Sequence, residues 1–367
     1  MTMKPFQGVL LGIVLFLASF VVLYMNEGRT DFSRIAKKAV VIQADAPPNN
    51  TDAQGLLVSA SGTVGTHETI GDDLYLKPGS YLQVQREVEM YSWVENSEET
   101  TTTKSDGSQT TETTYTYSNE WVGSPTKTED FHEGVGHVNP PMSLNDLTTS
   151  ATEAWVEAYY FVSGEIDLPT GKQVVLTADK LALTANATRA NDTYVYVRNG
   201  TNGTYATPEI GDLRVGYRAL PVSFEGTVFG RMDNQNLRPY VTKKGDTLYR
   251  AFEGSHDQAV AQMHGEYKSA LWAFRLIGFL MMWFGIWAFF GPLSSLMSFI
   301  PVVGGVGKAV IGFISFAVSF VLSAIAIVVF AILHNIFAVI IVCVVILAAA
   351  VGSGKLMNKN KAAHKIA

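Results

Sequence analysis

The sequence predicts an α+β membrane protein, with four transmembrane helices and a large β-rich extracytoplasmic domain between the first and the second. Two observations predict this class. One uncharged apolar run lies at the start of the chain, at residues 6–25, and the other apolar runs lie within residues 271–351. The residues between them, 26–268, are polar, rich in threonine and acidic. We therefore expect one water-soluble domain held against one face of a bilayer.

Charge divides the chain in the same way as hydropathy. Residues 30–268 carry 32 Asp and Glu against 19 Lys and Arg, whereas the rest carries only Glu27 against eight basic residues. An acidic domain is a poor match for nucleic acid, so we expect no nucleic-acid partner. The single cysteine, Cys343, lies in the last apolar run. The domain therefore has no disulfides and depends on its own core for stability.

The first apolar run, residues 6–25, follows a short cytoplasmic N-terminus, residues 1–5. It contains no charge and has the length of a spanning helix, which needs about 20 apolar residues. A signal peptide is the alternative. The length of the run and the lack of a clear small-x-small cleavage site favour a retained anchor. Gly8 and Gly12 form a GxxxG motif, which is typical of a helix-packing face.

Three further spans are predicted, at residues 269–290, 309–333 and 336–352. Arg275 lies one turn inside the second span, where a long side chain can extend to the interface. Only two residues, His334 and Asn335, separate the last two spans. We therefore expect these two spans to form a tight antiparallel hairpin.

The connection between the second and third spans, residues 291–308, has no charge before Lys308. One interpretation is a short helix lying in the membrane interface with its apolar side in lipid. The other is a re-entrant element buried in protein. The interfacial interpretation is favoured because it is commoner. The candidate interfacial residues are Leu293, Leu296, Met297 and Phe299.

Lysines in the short segments predict the orientation of the chain. The tail, residues 353–367, carries four lysines, and Lys308 lies in the connection, so both segments are predicted to be cytoplasmic. Three spans separate the tail from the domain, which places the domain on the opposite side. A basic cluster after the first span opposes this orientation, although long translocated domains tolerate such charges. The cluster comprises Arg29, Arg34, Lys37 and Lys38.

The domain is predicted to be mostly strands and turns. Residues 81–94 and 111–121 alternate apolar and polar side chains, and a Thr/Ser-rich turn at residues 98–109 joins them into a long β-hairpin. Further strands are predicted at residues 173–177, 194–198, 213–218, 222–230 and 247–252, and short helices near 150–160 and 179–185. Ser255 and Gln258 have the spacing of a capping box, which predicts a helix that runs into the second span.

Motifs for chemistry are weak. His132, Glu133 and His137 resemble a zinc-protease signature, but the two histidines are five residues apart instead of four, and Gly134 and Gly136 would break the helix that such a site needs. We therefore predict a turn here, with no metal, no cofactor and no catalytic residue.

The central spans contain no ionisable residue except Arg275 near an edge and His334 at a loop, which disfavours a proton relay or a channel. Five Asn-x-Thr triplets leave glycosylation open.

Several short motifs together resemble the LUMA (transmembrane protein 43) family, with order and spacing that hold across nearly the whole chain. The motifs lie at residues 26–29, 88–95, 117–121, 136–140, 211–215 and 242–248. The resemblance implies four spans, cytoplasmic termini and a large extracytoplasmic or lumenal domain. It also implies self-association, membrane-protein partners and a role in endoplasmic reticulum or inner nuclear membrane organisation, as in animal members. The family has no established catalytic motif, so no active-site residues are transferred.

These observations favour a non-enzymatic membrane organiser that forms homo-oligomers and holds membrane lipids or other membrane proteins. A lipid-handling protein is the first alternative, and a membrane-embedded enzyme is the second. A bacterial inner membrane is the expected location, with the endoplasmic reticulum or inner nuclear membrane as the alternative. Glu27, Arg29 and Arg275 are the candidates for a membrane-junction site, because the first two follow the first span and Arg275 lies near the edge of the second.

Overall fold

A computed structural model describes residues 5–45, 51–103, 109–200, 202–297 and 304–335. The chain divides into two compact units. The membrane unit contains residues 1–30 and 265–367, with residues 103–109. The domain contains residues 31–102 and 110–264.

Four helices are described. They are α1 (Pro5–Glu27), α2 (Phe32–Ala36), α3 (His256–Met297) and α4 (Gly304–Leu333). Three helical segments in the described residues are long and apolar enough to cross a membrane, namely Gly8–Ala36, His256–Phe290 and Val310–Leu333. These segments overlap the first three predicted spans, residues 6–25, 269–290 and 309–333. The fourth predicted span, residues 336–352, lies outside the described residues.

The helix α3 begins at a capping box, as the sequence predicts. The backbone N–H of Ser255 donates to Gln258 Oε1 at 2.8 Å, and the N–H of Gln258 lies 3.5 Å from Ser255 Oγ. The helix continues without a break to Met297, so it includes the first residues of the predicted connection. Three interfacial candidates, Leu293, Leu296 and Met297, therefore belong to α3, and Phe299 lies outside the described residues. The interfacial and re-entrant interpretations both stay open.

The domain consists mainly of strands. The strands are β1 (Val40–Gln43), β2 (Leu57–Gly65), β3 (Tyr81–Thr103), β4 (Gln109–Val122), β5 (Leu147–Ser150), β6 (Ala154–Val156), β7 (Tyr159–Phe161), β8 (Lys172–Gln173), β9 (Ala187–Arg189), β10 (Tyr194–Val197), β11 (Leu213–Pro221), β12 (Phe224–Asp233), β13 (Asn236–Arg238), β14 (Tyr240–Val241), β15 (Thr247–Leu248) and β16 (Arg250–Glu253).

The first sheet has the order β1-β2-β6-β7-β13-β12-β16, and β2 also pairs with β12. The pairings β2-β6-β7-β13-β12-β2 therefore close a ring. Gly226 lies directly opposite Gly62 in the β2–β12 ladder. The inward side chains form one apolar core, which includes Val58, Val228 and Leu237, each fully buried. This closed arrangement leaves the ring strands without a free edge.

The second sheet has the order β4-β3-β11-β10-β9, with β5 paired to β3 and β8 paired to β11. Its core includes Val88, Met90 and Val215. The predicted long hairpin is present as β3 and β4, but β3 continues through Thr103, past the start of the predicted turn. Threonine is β-branched and favours extended backbone, which explains why the Thr-rich segment extends the strand.

The two short helices predicted inside the domain are wrong. Residues 150–160 contain the short strands β6 and β7, which are joined at Glu157, a residue with a positive φ of 51°. Residues 179–185 contain only the end of a 3₁₀ turn, Ala178–Lys180. Pairing with β2 supplies the hydrogen bonds of β6, so tertiary contacts override the helical preference of alanine and glutamate there.

A third apolar cluster holds α2 and the first turns of α3 against the first sheet. Ala36 of α2 and Ala259 and Met263 of α3 pack with Phe229 and Phe252 of the sheet. Asp31 caps α2 by accepting a hydrogen bond from the backbone N–H of Ser33. The residues directly after α1 and the start of α3 are therefore neighbours within the domain.

Candidate functional site

Two of the three junction candidates form an ion pair between α1 and α3. Arg275 Nε donates to Glu27 Oε1 at 2.7 Å, and Arg275 Nη2 donates to Glu27 Oε2 at 2.9 Å. The Glu27 side chain is 4% exposed and that of Arg275 is 20% exposed. A planar guanidinium and a carboxylate that bind through two parallel bonds make one of the stronger protein hydrogen-bonded pairs. The last residue of α1 is thus joined to the middle of α3.

Arg29, the third candidate, contacts α3 through an aromatic ring. Its guanidinium carbon lies 4.9 Å from the ring centre of Phe274. The guanidinium of Arg275 lies at the same distance, 4.9 Å, from the ring of Trp272. Both rings belong to α3 and attract the cations through their π faces. The structure brings all three candidates to one place, whereas their role at a membrane junction stays a prediction.

Two polar residues that the sequence analysis did not select also belong to this place. Asn26, which is buried, donates from Nδ2 to the carbonyl oxygen of Leu271 at 2.9 Å. His334, which follows α4, packs against Tyr24 of α1 with ring centres 4.4 Å apart and ring planes tilted by 49°. A Cβ atom at Gly28 would lie 2.6 Å from His334 Nε2, so a larger residue there would displace the imidazole ring. The only sequence signal for Asn26 and Gly28 is their position in the motif at residues 26–29.

Glycines allow α1 and α3 to approach closely. A Cβ atom at Gly12 would lie 2.7 Å from the carbonyl oxygen of Gly285, and one at Gly285 would lie 2.7 Å from the backbone nitrogen of Phe16. A Cβ atom at Gly8 would meet nothing within 4 Å. The predicted GxxxG motif therefore contributes one close contact, at Gly12. Backbones that approach this closely gain van der Waals contact between helices.

The helix α4 joins the other two through small residues. Its buried residues Ser315, Ser319, Ser323 and Ala326 recur every three or four positions, so they share one helix face. Ala326 packs with Leu23 of α1 and Met282 of α3 in one apolar cluster. The described part of the membrane unit is thus a packed bundle of three helices.

The segment that contains His132, Glu133 and His137 is a turn packed on the β3–β4 hairpin. His132 stacks on Tyr115 and His137 stacks on Tyr117, with ring centres 3.9 and 3.7 Å apart. The Tyr117 hydroxyl donates to Glu95 Oε2 at 2.6 Å, and this bond lowers the pKa of the Glu95 carboxyl. Among the described residues, no group of three or more His, Cys, Asp or Glu side chains is arranged to hold a metal ion.

Two buried aspartates accept hydrogen bonds from buried tyrosines in the domain. Asp72 binds Arg86 Nη1 at 2.7 Å and the Tyr217 hydroxyl at 2.5 Å. Asp212 accepts from the hydroxyl of Tyr196 and from the backbone N–H groups of Glu209 and Asn199, the latter two at 2.7 and 2.8 Å. Burial raises the pKa of both tyrosines, and the neighbouring aspartate raises it further. These pairs stabilise the fold, because every charged oxygen faces a donor.

A charged cavity of about 380 Å³ lies between α2 and the start of α3 within the domain. On the α2 side it is lined by Asp31, Ser33, Arg34 and Lys37. On the α3 side it is lined by His256, Asp257 and His264, with two small apolar residues between them. Asp31 Oδ2 lies 3.1 Å from Arg34 Nε, and Ser33 Oγ lies 3.4 Å from His264 Nδ1. Arg34, Lys37 and Lys38 of the predicted basic cluster therefore lie at or beside this cavity.

Comparisons with known proteins agree with the motifs in the sequence. The family model described as transmembrane protein 43 matches residues 90–336. Transmembrane protein 43 of Mus musculus is 28% identical over 315 residues, which cover 80% of this chain and 76% of the relative. The Homo sapiens protein is 28% identical over 316 residues with the same coverage, and the Drosophila melanogaster homolog is 26% identical over 292 residues, which cover 76% and 75%. No solved structure matches the chain significantly.

Proposed function

The chain belongs to the transmembrane protein 43 family, and on that premise we propose that it is a non-enzymatic membrane organiser. It self-associates in the bilayer and holds lipids or other membrane proteins beside it. The proposal keeps four spans, cytoplasmic termini and an extracytoplasmic domain, which the distribution of lysines supports. A bacterial inner membrane is the proposed location, with the endoplasmic reticulum or inner nuclear membrane as the alternative.

The observation that carries the proposal is how the membrane unit uses its polar groups. Transporters and intramembrane enzymes place ionisable side chains where they line a path or a reaction site. Here Arg275 is engaged by Glu27, and Asn26 donates to a carbonyl group of α3. These groups bind helix to helix, which is what a scaffold requires.

Self-association is supported by the outer surface of the bundle. Large apolar side chains are exposed on each long helix, including Leu17 at 59%, Trp272 at 65% and Phe313 at 74% exposure. Association of helices in lipid depends on packing and hydrogen bonds between them, because lipid chains are as apolar as the side chains. A rigid bundle with such a surface is suited to lateral contact with lipid, with a further copy or with another membrane protein.

The alternatives receive less support from the described residues. A lipid-handling protein needs an apolar pocket that can hold acyl chains, whereas the cavity between α2 and α3 is lined mainly by charged and polar groups. A membrane-embedded enzyme needs reactive groups that are available to a substrate. The buried carboxylates of Asp72 and Asp212 are instead engaged by donors that belong to the fold.

Self-association is tested with two full-length copies that carry different tags. Copies that are co-expressed should purify together after the membrane is solubilised and reconstituted into nanodiscs at a low ratio of protein to lipid. Copies that are expressed separately and mixed after solubilisation are the control for aggregation, and they should not purify together. A single copy per nanodisc at every expression level would refute the proposal.

A further inference from the structure

We infer that the charged cavity between α2 and the start of α3 is a binding site for a phosphate group carried by a lipid headgroup or by a soluble anion. The inference rests on the proposed function, since it specifies how the organiser would hold lipid. In the proposed orientation, the basic cluster after the first span lies on the extracytoplasmic side. The positive-inside rule disfavours basic residues on that side, so orientation does not account for this cluster.

The cavity has the size and the donors that a phosphate group requires. Its volume of about 380 Å³ lies within the range of small-ligand sites. Arg34 and Lys37 are exposed and line the same side of it. Guanidinium and ammonium groups are the usual partners of phosphate oxygens, through paired bonds and as a point charge respectively. His256 and His264 add imidazole rings on the cavity wall, each of which can donate a ring N–H.

One of the two carboxylates in the cavity, that of Asp31, is engaged by neighbouring groups of α2. Asp31 accepts hydrogen bonds from the backbone N–H and the hydroxyl of Ser33, at 3.1 and 2.5 Å, and lies 3.1 Å from Arg34 Nε. The Arg34 side chain is nevertheless 84% exposed, so the outer edge of its guanidinium faces solvent. Asp257 lies in the first turn of α3, where the helix dipole favours a negative charge. The two bases of the cavity, Arg34 and Lys37, are formally balanced by its two acids, and both bases are exposed on the α2 side, where an anion can reach them.

The position of the cavity along the chain favours a headgroup. Asp31 lies four residues after Glu27, the end of α1, and a chain of that length spans at most about 14 Å. His264 lies seven residues before Leu271, where the apolar run of α3 begins. Both walls of the cavity therefore lead within a few residues into predicted membrane spans, at whose ends lipid headgroups lie.

The test measures binding to the full-length chain in a non-ionic detergent. The probes are short-chain phosphatidylglycerol, phosphatidylcholine (whose phosphate is balanced by an ammonium group) and inorganic phosphate. Phosphatidylglycerol should raise the melting temperature of the wild type more than phosphatidylcholine does. The variant Lys37→Gln should bind it about fivefold more weakly, as expected for one basic residue near an anionic surface. The matched variant Lys38→Gln removes the same charge outside the cavity and should bind within about twofold of the wild type.

Each outcome decides the inference. Binding of phosphatidylglycerol alone that Lys37→Gln weakens supports a lipid ligand, and binding of inorganic phosphate that Lys37→Gln weakens supports a soluble one. Equal weakening by Lys37→Gln and Lys38→Gln, or no binding of either anion, overturns the site. Melting without any probe shows whether the variants are folded. Loss of anion binding with intact co-purification of tagged copies would refute this inference alone, and the reverse result would refute the proposed function alone.

Discussion

The membrane unit and the domain both bury a carboxylate, but they satisfy it in different ways. Glu27 in the membrane unit faces the guanidinium of Arg275, and two charge-assisted bonds join them. Asp212 in the domain is fully buried and is held by a tyrosine hydroxyl and two backbone N–H groups. The first solution uses an opposite charge from a distant helix, and the second uses donors that lie within sixteen residues of the aspartate.

The difference follows from what surrounds each carboxylate. The backbone donors of α1 and α3 are used inside the helices, so an acid between them finds few free N–H groups. A loop between strands has free backbone donors that can turn toward an acid, and Glu209 and Asn199 provide them. Glu27, which lies between packed helices, therefore depends on one partner, Arg275. Asp212 instead accepts hydrogen bonds from three donor groups. We expect the two sites to respond differently to isosteric substitution.

The largest effect is expected for Glu27→Gln. This change leaves Arg275 without its counter-ion, and breaking a buried pair in this way costs about 3–5 kcal/mol. Hydrogen-exchange mass spectrometry should show faster exchange at the end of α1 and in the facing part of α3, with little change in β11. Glu112→Gln, the same change at an exposed position of β4, should exchange like the wild type.

A charge reversal sharpens this prediction. Glu27→Arg combined with Arg275→Glu restores opposite charges between the same helices and should recover part of the protection that Glu27→Gln loses. If Glu27→Gln exchanged like the wild type, the ion pair would not hold α1 to α3, and the comparison with Asp212 would fail.

A smaller effect, about 1–3 kcal/mol, is expected for Asp212→Asn. Both carboxylate oxygens accept from donors, so an amide nitrogen in either position would face an N–H or O–H group. Faster exchange should appear in β10 and β11 and leave α1 unchanged. Asp192→Asn is the matched control, since Asp192 is 71% exposed, and it should change stability by no more than about 0.5 kcal/mol. Faster exchange in α1 would show that the two units do not respond independently.

The smallest effect concerns the stability of the domain at alkaline pH. Burial and Asp72 raise the pKa of Tyr217 above its value in an unfolded chain, about 10. The folded state therefore keeps a proton that the unfolded state has lost, so this stabilisation is complete below about pH 10 and decreases as pH rises further. Denaturant unfolding followed from neutral to alkaline pH should show a shallower alkaline loss for Tyr217→Phe than for the wild type. Parallel curves would contradict the role of Tyr217.

The long apolar helices were the part of the fold that the sequence predicted best, while their crossing of a membrane stays a prediction. The run at residues 6–25 lies within α1, and the capping box at Ser255 marks the start of α3. Both signals are local, since apolar length and cap spacing depend only on neighbouring residues. The predicted strands at 194–198 and 213–218 also agree with β10 and β11 to within a few residues.

The helix prediction at residues 150–160 failed because strand pairing between segments far apart in the chain decides the structure there. The segment at residues 150–160 contains alanine and glutamate, which favour helix, yet Val156 and Trp155 pair with Val64 and Gly65 across about ninety residues of chain. No window of sequence contains both partners. The same limit applies to the charged cavity, whose α2 and α3 walls are far apart in the chain. The sequence groups Glu27, Arg29 and Arg275 as junction candidates, but only the structure shows that Arg275 is the one that pairs with Glu27.

The Glu27–Arg275 pair forms between residues that the ribosome makes at very different times. The two residues are 248 positions apart, and ribosomes add about 5–20 residues per second, so roughly 12–50 s pass between their synthesis. During that interval α1 has been made, while the counter-ion of Glu27 has not. Because Glu27 is the last residue of α1, water can hydrate its carboxylate until α3 has been made. The order of synthesis is thereby compatible with a buried charge that gains its partner only after the whole domain has been synthesised.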